Sequence, residues 1–149
     1  MPMSHFSRGF AAGVTIRGVP LIQTHPGEVF WVSNASTLLT NQKSGSDGNK
    51  GTFDQPFSTI DYAIGRCVAN RGDIIFVKPG HAENVATAAA IAADVAGVAI
   101  VGLGTGSARP TFTWTAAAAT ATVTAANVSF QNLKFVNNFA DVVTMFSVS

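Results

Sequence analysis

Three glycines in Gly102-Leu103-Gly104-Thr105-Gly106 follow a strand-like run, and their type and spacing could serve to hold a phosphate group. A dinucleotide-binding turn uses such glycines so that backbone N–H groups can approach the pyrophosphate. It also needs a helix N-terminus directly behind them. Here Ser107-Ala108-Arg109-Pro110 and a threonine-rich, strand-like run follow instead. We therefore interpret these glycines as a corner between strands.

The segment Ser46-Asp47-Gly48-Asn49 has the residue types that open a calcium-binding loop. Such a loop ends with a bidentate glutamate at its twelfth position, and that position is Phe57 here. The sequence therefore predicts a turn at this segment.

The histidines and the cysteine lack the neighbours that metal or nucleophile chemistry requires. His5, His25 and His81 lie in separate segments without a partner at ligand spacing. Cys67 is the single cysteine, which excludes an intrachain disulfide and a cysteine metal site. It lies on the apolar face of a predicted helix, so we expect a buried and unreactive thiol.

Four carboxylates could work in pairs if successive turns of the chain stack on one another: Asp73, Glu83, Asp94 and Asp141. The sequence singles out no pair among them. We therefore predict that the chain is not an enzyme, with no catalytic residue, no cofactor and no metal site.

Composition restricts the partners. Charged residues make up 11% of the 149 residues, against roughly 25% in ordinary soluble domains. Other protein, or Ser, Thr, Asn and Ala side chains, must therefore cover much of the surface. The net charge of +1 without a basic run predicts no nucleic-acid partner. We also expect no membrane partner, because no segment approaches the roughly 20 apolar residues of a bilayer span and the N-terminus lacks a signal-peptide core.

The clearest predicted element is a helix over residues 58–70. Ser58 can cap its start, and Asp61 three residues later completes a pattern like a capping box. Gly72 lies where the helix is expected to end. The residues at helical spacing that form one apolar face are Ile60, Ala63, Ile64, Cys67 and Val68.

After this helix the chain consists of short strand-like runs. The runs that begin at Ile74, Val98 and Val128 are 24 and 30 positions apart, which suits one turn of a solenoid per repeat. Residues 111–115 and 120–125 alternate with period two, as strands do. The alanine-rich segment 86–96 fits either a strand or a helix.

Residues 1–40 form a predicted N-terminal arm for attachment or oligomerisation, and the polar residues 41–55 form a linker. Within the arm, His25-Pro26-Gly27 predicts a type II turn that joins strands 20–24 and 28–32 in a hairpin.

An arm with two strands is too small to bury the aromatic residues it contains. They either pack on the main body or anchor a partner, and both alternatives stay open. These candidate interface residues are Phe6, Phe10, Phe30 and Trp31.

Residues 45–139 resemble the start of a right-handed parallel β-helix of the pectin-lyase-like superfamily. The run Gly51-Thr52-Phe53-Asp54-Gln55-Pro56-Phe57-Ser58-Thr59-Ile60-Asp61-Tyr62-Ala63-Ile64 resembles the N-terminal cap of bacteriophage β-helical virion proteins and tailspikes. Residues 76–80, 101–104 and 121–138 are similar to the opening coils of pectin methylesterases. Where those enzymes place their first active-site glutamine, this chain has Asp141-Val142-Val143-Thr144, so no catalytic residue is carried over.

The resemblance implies an all-β fold in which one capping α-helix opens a right-handed parallel β-helix, with the cap and first coils in residues 56–149. It implies a non-enzymatic structural protein of a bacteriophage particle. The arm would dock on other virion proteins of the capsid or tail, the chain would form a homo-oligomer, with a trimer favoured, and a glycan could bind.

Two other functions remain as alternatives: the base of a carbohydrate-binding or carbohydrate-cleaving tailspike whose catalytic coils are not in this chain, and a bacterial surface adhesin. The apolar residues 142–148 have no capping helix behind them. Either the sequence belongs to a longer β-helix or another subunit covers that end.

Overall fold

The computed structural model describes residues 25–35, 37–38 and 40–149, together with the backbone of two short strands near the N-terminus. This part of the chain is mostly β, with one α-helix, α1 (Ile60–Arg66), and one 3-10 helix, Gly106–Ala108. The strands are β1 (Thr15–Ile16), β2 (Val19–Pro20), β3 (Val29–Val32), β4 (Ile74–Val77), β5 (Ala82–Val85), β6 (Ile91–Ala93), β7 (Ala99–Gly102), β8 (Thr111–Trp114), β9 (Ala121–Val123), β10 (Ser129–Gln131), β11 (Lys134–Asn137) and β12 (Phe146–Val148).

Three parallel sheets contain the strands from β3 onward. The first sheet has the order β10-β7-β4-β3, the second β11-β8-β5 and the third β12-β9-β6. Consecutive strands from β4 enter the three sheets in rotation, so every third strand returns to the same sheet. Ile74 pairs with Ala99 and Ala99 with Ser129, at spacings of 25 and 30 residues. The predicted spacing of these strands is therefore confirmed at 30 residues for the second interval, and the first interval is one residue longer than predicted.

The core lies between the inward faces of the three sheets. Strand β8 shows why the sequence folds this way, because Phe112 and Trp114 are fully buried while the alternating Thr111 and Thr113 stay partly exposed. The same buried cluster contains side chains from all three sheets, among them Ile75, Val77, Val85, Ile91, Ala93, Ile100 and Ala121.

Helix α1 lies against β3, β4 and β6, which belong to the same end of the first and third sheets. Its buried residues Ile60, Ala63 and Ile64 confirm the predicted apolar face, whereas Val68 is 50% exposed. The helix is shorter than predicted because the backbone is already extended at Cys67.

The structure contradicts two predictions about the start of this helix, that Ser58 is its N-cap and that Asp61 closes a capping box. Thr59 is the N-cap, and its hydroxyl accepts a hydrogen bond from the backbone N–H of Tyr62 at 3.4 Å. The carboxylate of Asp61 accepts from the backbone N–H of Ala92 at 2.8 Å, so it joins α1 to β6 and does not close a capping box. Ser58 lies one residue before this N-cap, and its backbone N–H donates to the carboxylate of Asp47 in the preceding loop.

The predicted type II turn at His25-Pro26-Gly27 is also wrong, because Gly27 is not among the glycines with a positive φ. Residues 21–24, in the first strand of the predicted hairpin, lie outside the described residues. Strand β3 pairs in parallel with β4, from Val29 opposite Ile74 to Val32 opposite Val77. Its partner is distant in sequence because the backbone of Gly27 packs directly against the backbone of Gly72. The antiparallel pair in the arm is β1 with β2, so residues 29–32, which the sequence assigns to the arm, extend the first sheet.

The structure also shows the secondary structure of two segments that the sequence described incompletely. The run that begins at Val128 divides into β10 and β11, which lie in different sheets, because Asn132 between them has a positive φ of 53°. In the alanine-rich segment 86–96, Ile91–Ala93 forms β6, so the strand alternative is confirmed there.

Candidate functional site

One side of the first sheet presents large apolar side chains to the outside. On β3, Phe30 packs against the core and Val32 is fully buried, so the alternating Val29 and Trp31 face outward. The strand register aligns these two with outward residues of the neighbouring strands. We call this set the outer face: Val29, Trp31, Ile74, Phe76, Ala99, Val101, Ser129 and Gln131.

The outer face carries no charged side chain and is apolar over β3, β4 and β7. Val29 is 42% exposed, and Trp31 and Phe76 are partly exposed with ring centroids 5.1 Å apart. The ring of Phe53, itself 44% exposed, meets Trp31 edge-on at 4.9 Å. These rings form a continuous aromatic surface of the kind found at protein interfaces.

The two predicted interface residues in the described part of the chain, Phe30 and Trp31, face opposite sides of the first sheet. Trp31 lies on the outer face, whereas the ring of Phe30 points inward, 5.9 Å from that of Phe57. Phe6 and Phe10 lie outside the described residues.

Lys78 lies next to this aromatic surface and is almost fully buried, with 4% of the residue exposed. Its ammonium donates to Oε1 of Gln42 at 2.8 Å and to the backbone carbonyl of Phe53. The ammonium also sits 3.6 Å from the ring centroid of Phe53 and 5.8 Å from that of Trp31. Burial lowers the pKa of Lys78, although the charge of nearby Asp54 acts in the opposite direction. Reasoning from the sequence missed Lys78 because its contacts come from the distant residues 42 and 53.

Two of the four candidate carboxylates, Asp73 and Glu83, form hydrogen-bonded pairs with the basic side chains of Arg71 and His81. Asp73 binds Arg71 and is fully buried. Glu83 accepts from Nε2 of His81 at 3.0 Å and from the backbone N–H of Ile60 at 3.1 Å. Asp94 and Asp141 are exposed, so the structure does not join the candidate carboxylates into an acid–base pair.

His81 is buried and connects β5 with the chain that leaves β3. Its Nδ1 accepts from the backbone N–H of Asn34 at 3.1 Å, so the proton of the neutral ring is on Nε2 and points to Glu83. The amide side chain of Asn34 in turn bonds both backbone groups of Ala82. The three side chains thus tie β3, β5 and the start of α1 together.

Residues 46–49, which resemble the start of a calcium loop and are predicted to form a turn, hold the start of α1 through the side chain of Asp47. Asn49 N–H donates to the carbonyl of Ser46 at 2.9 Å, which confirms the turn. The Asp47 carboxylate accepts from the N–H groups of Ser58 and Thr59 at 2.9 and 3.1 Å. Burial raises the pKa of Asp47, but hydrogen bonds from Ser58 and Thr59 outweigh this and leave it below its ordinary value.

The remaining sequence candidates have structural roles. The glycines at 102–106 join β7 to the 3-10 helix and β8, so the pyrophosphate-binding α-helix is missing at this point. Cys67 is buried, and its Sγ contacts the carbonyl of Ala63 at 3.4 Å. His25 is exposed and His5 lies outside the described residues. Within the described ranges, no three His, Cys, Asp or Glu side chains gather closely enough to hold a metal ion.

Comparison of the chain with protein-family models, with curated proteins and with solved structures gives no match. Among the residues that the structure describes, no helix has the length and apolar character needed to cross a bilayer.

Proposed function

We propose that this chain is a non-enzymatic structural protein of a bacteriophage particle, folded as a right-handed parallel β-helix and attached through its N-terminal arm to capsid or tail proteins. The observation that carries the proposal is the rotation of β4 to β12 through three parallel sheets beneath a single helix. In such a body each turn of chain rests on the previous one, so the fold makes a rigid projecting column.

The strand connections support the β-helix. Each of the three sheets grows by one strand per turn of the chain, and each new strand is parallel to the one below it. Parallel strands joined by crossovers in one sheet are right-handed in about 98% of cases, which supports the proposed hand.

The run from Gly51 to Ile64, which resembles the cap of phage β-helical proteins, lies beside β3, the outermost strand of the first sheet. Gly51 accepts a hydrogen bond from the N–H of Trp31, and Phe57 forms a parallel bridge with Val32. Ile60 and Ile64 are about 1% exposed, and their helix lies over the end of the sheets. This arrangement supports a cap for the first turn of a β-helix.

Two apolar surfaces support association with other protein. The first is the outer face, which we propose as the contact between copies in a homotrimer. The second is the end formed by β10, β11 and β12, where the rings of Phe135 and Phe146 lie 4.9 Å apart and Phe135 is 36% exposed. Outer strands of this kind present unpaired backbone groups that a further β-layer could pair with.

The hydrogen bonds of the buried polar groups support the non-enzymatic part of the proposal. The candidate groups Asp73, His81 and Glu83 are hydrogen-bonded between elements of the fold, where they stabilise the cap and the first turn. Groups that perform catalysis are instead expected to converge on one concave site.

The location can be tested on intact particles. An antibody raised against the chain is applied to purified virions of the phage that encodes it, and bound gold is located by electron microscopy. We expect gold at regular positions on the particle. If the lysate contains the chain but purified virions bind no antibody and contain none of the protein, the proposal is wrong.

A further inference from the structure

The buried ammonium of Lys78 has no carboxylate as counter-ion. All eight acidic residues of the chain lie in the described part, and none of the ion pairs within 4.0 Å there includes Lys78. A buried charge normally needs an opposite charge, because two neutral oxygens and an aromatic ring replace only part of its lost hydration. Lys78 is therefore a cation that an anion could stabilise.

A cavity of about 320 Å³ lies directly beside this lysine, between the chain that leaves β3 and the chain that follows β4. The size is at the lower end of the range for small-molecule sites. We call it the Lys78 cavity, and its lining residues are Ser33, Ala35, Thr37, Gln42, Lys78, Pro79 and Gly80.

The polar groups in the Lys78 cavity are mainly hydrogen-bond donors. Ser33 is 2% exposed, and its Oγ accepts from the N–H of Ala35 at 3.4 Å, while its own proton meets no acceptor among the described residues. Gln42 gives its oxygen to Lys78, which leaves its NH₂ group for a ligand. Thr37 adds an exposed hydroxyl, and the lining contains no carboxylate. A cavity with an ammonium, donor groups and no acidic side chain favours an anion.

We propose that the Lys78 cavity binds a small hydroxylated anion, an acidic sugar or a sugar phosphate, with the charged group against Lys78 and the sugar hydroxyls against Ser33, Thr37 and Gln42. The shared chemistry is one anionic group on a compact polyol. The inference stands on this cavity alone and does not depend on the proposed place in a phage particle.

Calorimetric titration of the full chain with D-glucuronate, D-glucose 6-phosphate and D-glucose tests the proposal, since the three probes share one sugar frame. We expect at least one of the two anions to bind about tenfold or more tightly than glucose. Whichever anion binds more tightly identifies the ligand as carboxylate or phosphate. Binding of glucose as tight as that of both anions, or no binding of either anion, overturns the proposal.

The variant Lys78→Met keeps the aliphatic chain and removes the charge, so the preferred anion should bind about tenfold or more weakly. The fluorescence of Trp31, whose ring lies 5.8 Å from the ammonium, provides a second readout, because the other tryptophan, Trp114, is fully buried. Unchanged affinity in a folded Lys78→Met protein contradicts the proposal.

If Lys78→Met does not fold, Ser33→Ala and ionic strength provide the test on a chain that retains the lysine. Anion affinity should fall several-fold in Ser33→Ala, and in the unchanged protein it should fall between about 50 and 500 mM NaCl because salt screens the charge pair. Anion binding that responds to neither change contradicts the proposal.

Discussion

Arg71 and Asp73 form a two-point ion pair, in which Nε donates to Oδ1 at 2.7 Å and Nη2 donates to Oδ2 at 2.8 Å. The same carboxylate accepts from the backbone N–H groups of Glu28 and Val68 at 2.7 and 2.8 Å. One buried side chain therefore joins the start of β3, the chain after α1 and the start of β4.

Replacing Asp73 with asparagine should destabilise the fold strongly. The amide has one acceptor oxygen where the carboxylate has two, so buried donors lose their partner and Arg71 loses its counter-ion. We expect a loss of about 3 kcal/mol in the free energy of unfolding, measured by urea titration. Asp141→Asn is the matched control at an exposed carboxylate and should stay within about 0.5 kcal/mol. Equal effects of the two substitutions would show that the Asp73 contacts contribute little.

The Asp73 pair should also make stability depend on pH. Hydrogen bonds from Arg71 lower the pKa of Asp73 from 3.8 to about 2, with burial acting in the opposite direction. Because the folded protein favours the ionised form, this stabilisation is complete above about pH 5 and is lost as the pH falls towards 2. The stability difference between the unchanged protein and Asp73→Asn should shrink over that interval. A difference that stays constant from pH 7 to pH 2 would contradict this assignment.

A comparison of Asn132 with Asn127 separates the contribution of side-chain hydrogen bonds to stability from the contribution of backbone conformation. Both have a left-handed backbone, with φ of 53° and 58°. Of the two, only Asn132 donates side-chain hydrogen bonds within the described part of the chain. Its acceptors are the carbonyls of Gly102 and Gly104, where β7 leads towards β8, at 2.8 and 2.9 Å. Asn132→Ala should therefore lower the free energy of unfolding by about 1–2 kcal/mol more than Asn127→Ala does. If thermal and urea unfolding rank the two variants as equal, the hydrogen bonds add nothing to the left-handed preference.

Cys67 should be unreactive in the folded chain. Burial raises the pKa of its thiol to about 12, and the charge of Asp73 adds to the effect, so almost no thiolate forms near neutral pH. We expect a chromogenic disulfide reagent to react with one thiol per chain in concentrated urea and with nearly none in native buffer at pH 8. Rapid, complete reaction in native buffer would mean that this face of α1 is open.

Local patterns were sufficient to predict the elements whose residues alternate clearly. Phe112 and Trp114 alternate with threonines, and Ile60, Ala63 and Ile64 recur at helical spacing, so both elements are visible in the sequence. The division at Asn132 was missed because an asparagine within a strand-like run does not reveal its positive φ.

The candidate sites were harder to predict because their contacts connect distant parts of the chain. Lys78 is paired with Gln42 and Phe53, and Asp47 holds the start of α1 from eleven residues before Ser58. For Trp31 the sequence left open whether the ring packs on the main body or anchors a partner, because the orientation of the ring depends on the parallel register of β3 with β4. Short-range periodicity contains no information on such pairings.

The mass of the full chain in solution, measured by light scattering at several concentrations, tests most directly the claim that this is an associating structural body. We predict three times the mass of one chain. Trp31→Thr, on the outer face, should shift the protein towards the monomer while it stays folded. Phe30→Leu is the control at the neighbouring inward position and should leave the trimer intact. A folded monomer at every concentration, with Trp31→Thr identical to the unchanged protein, would contradict the account.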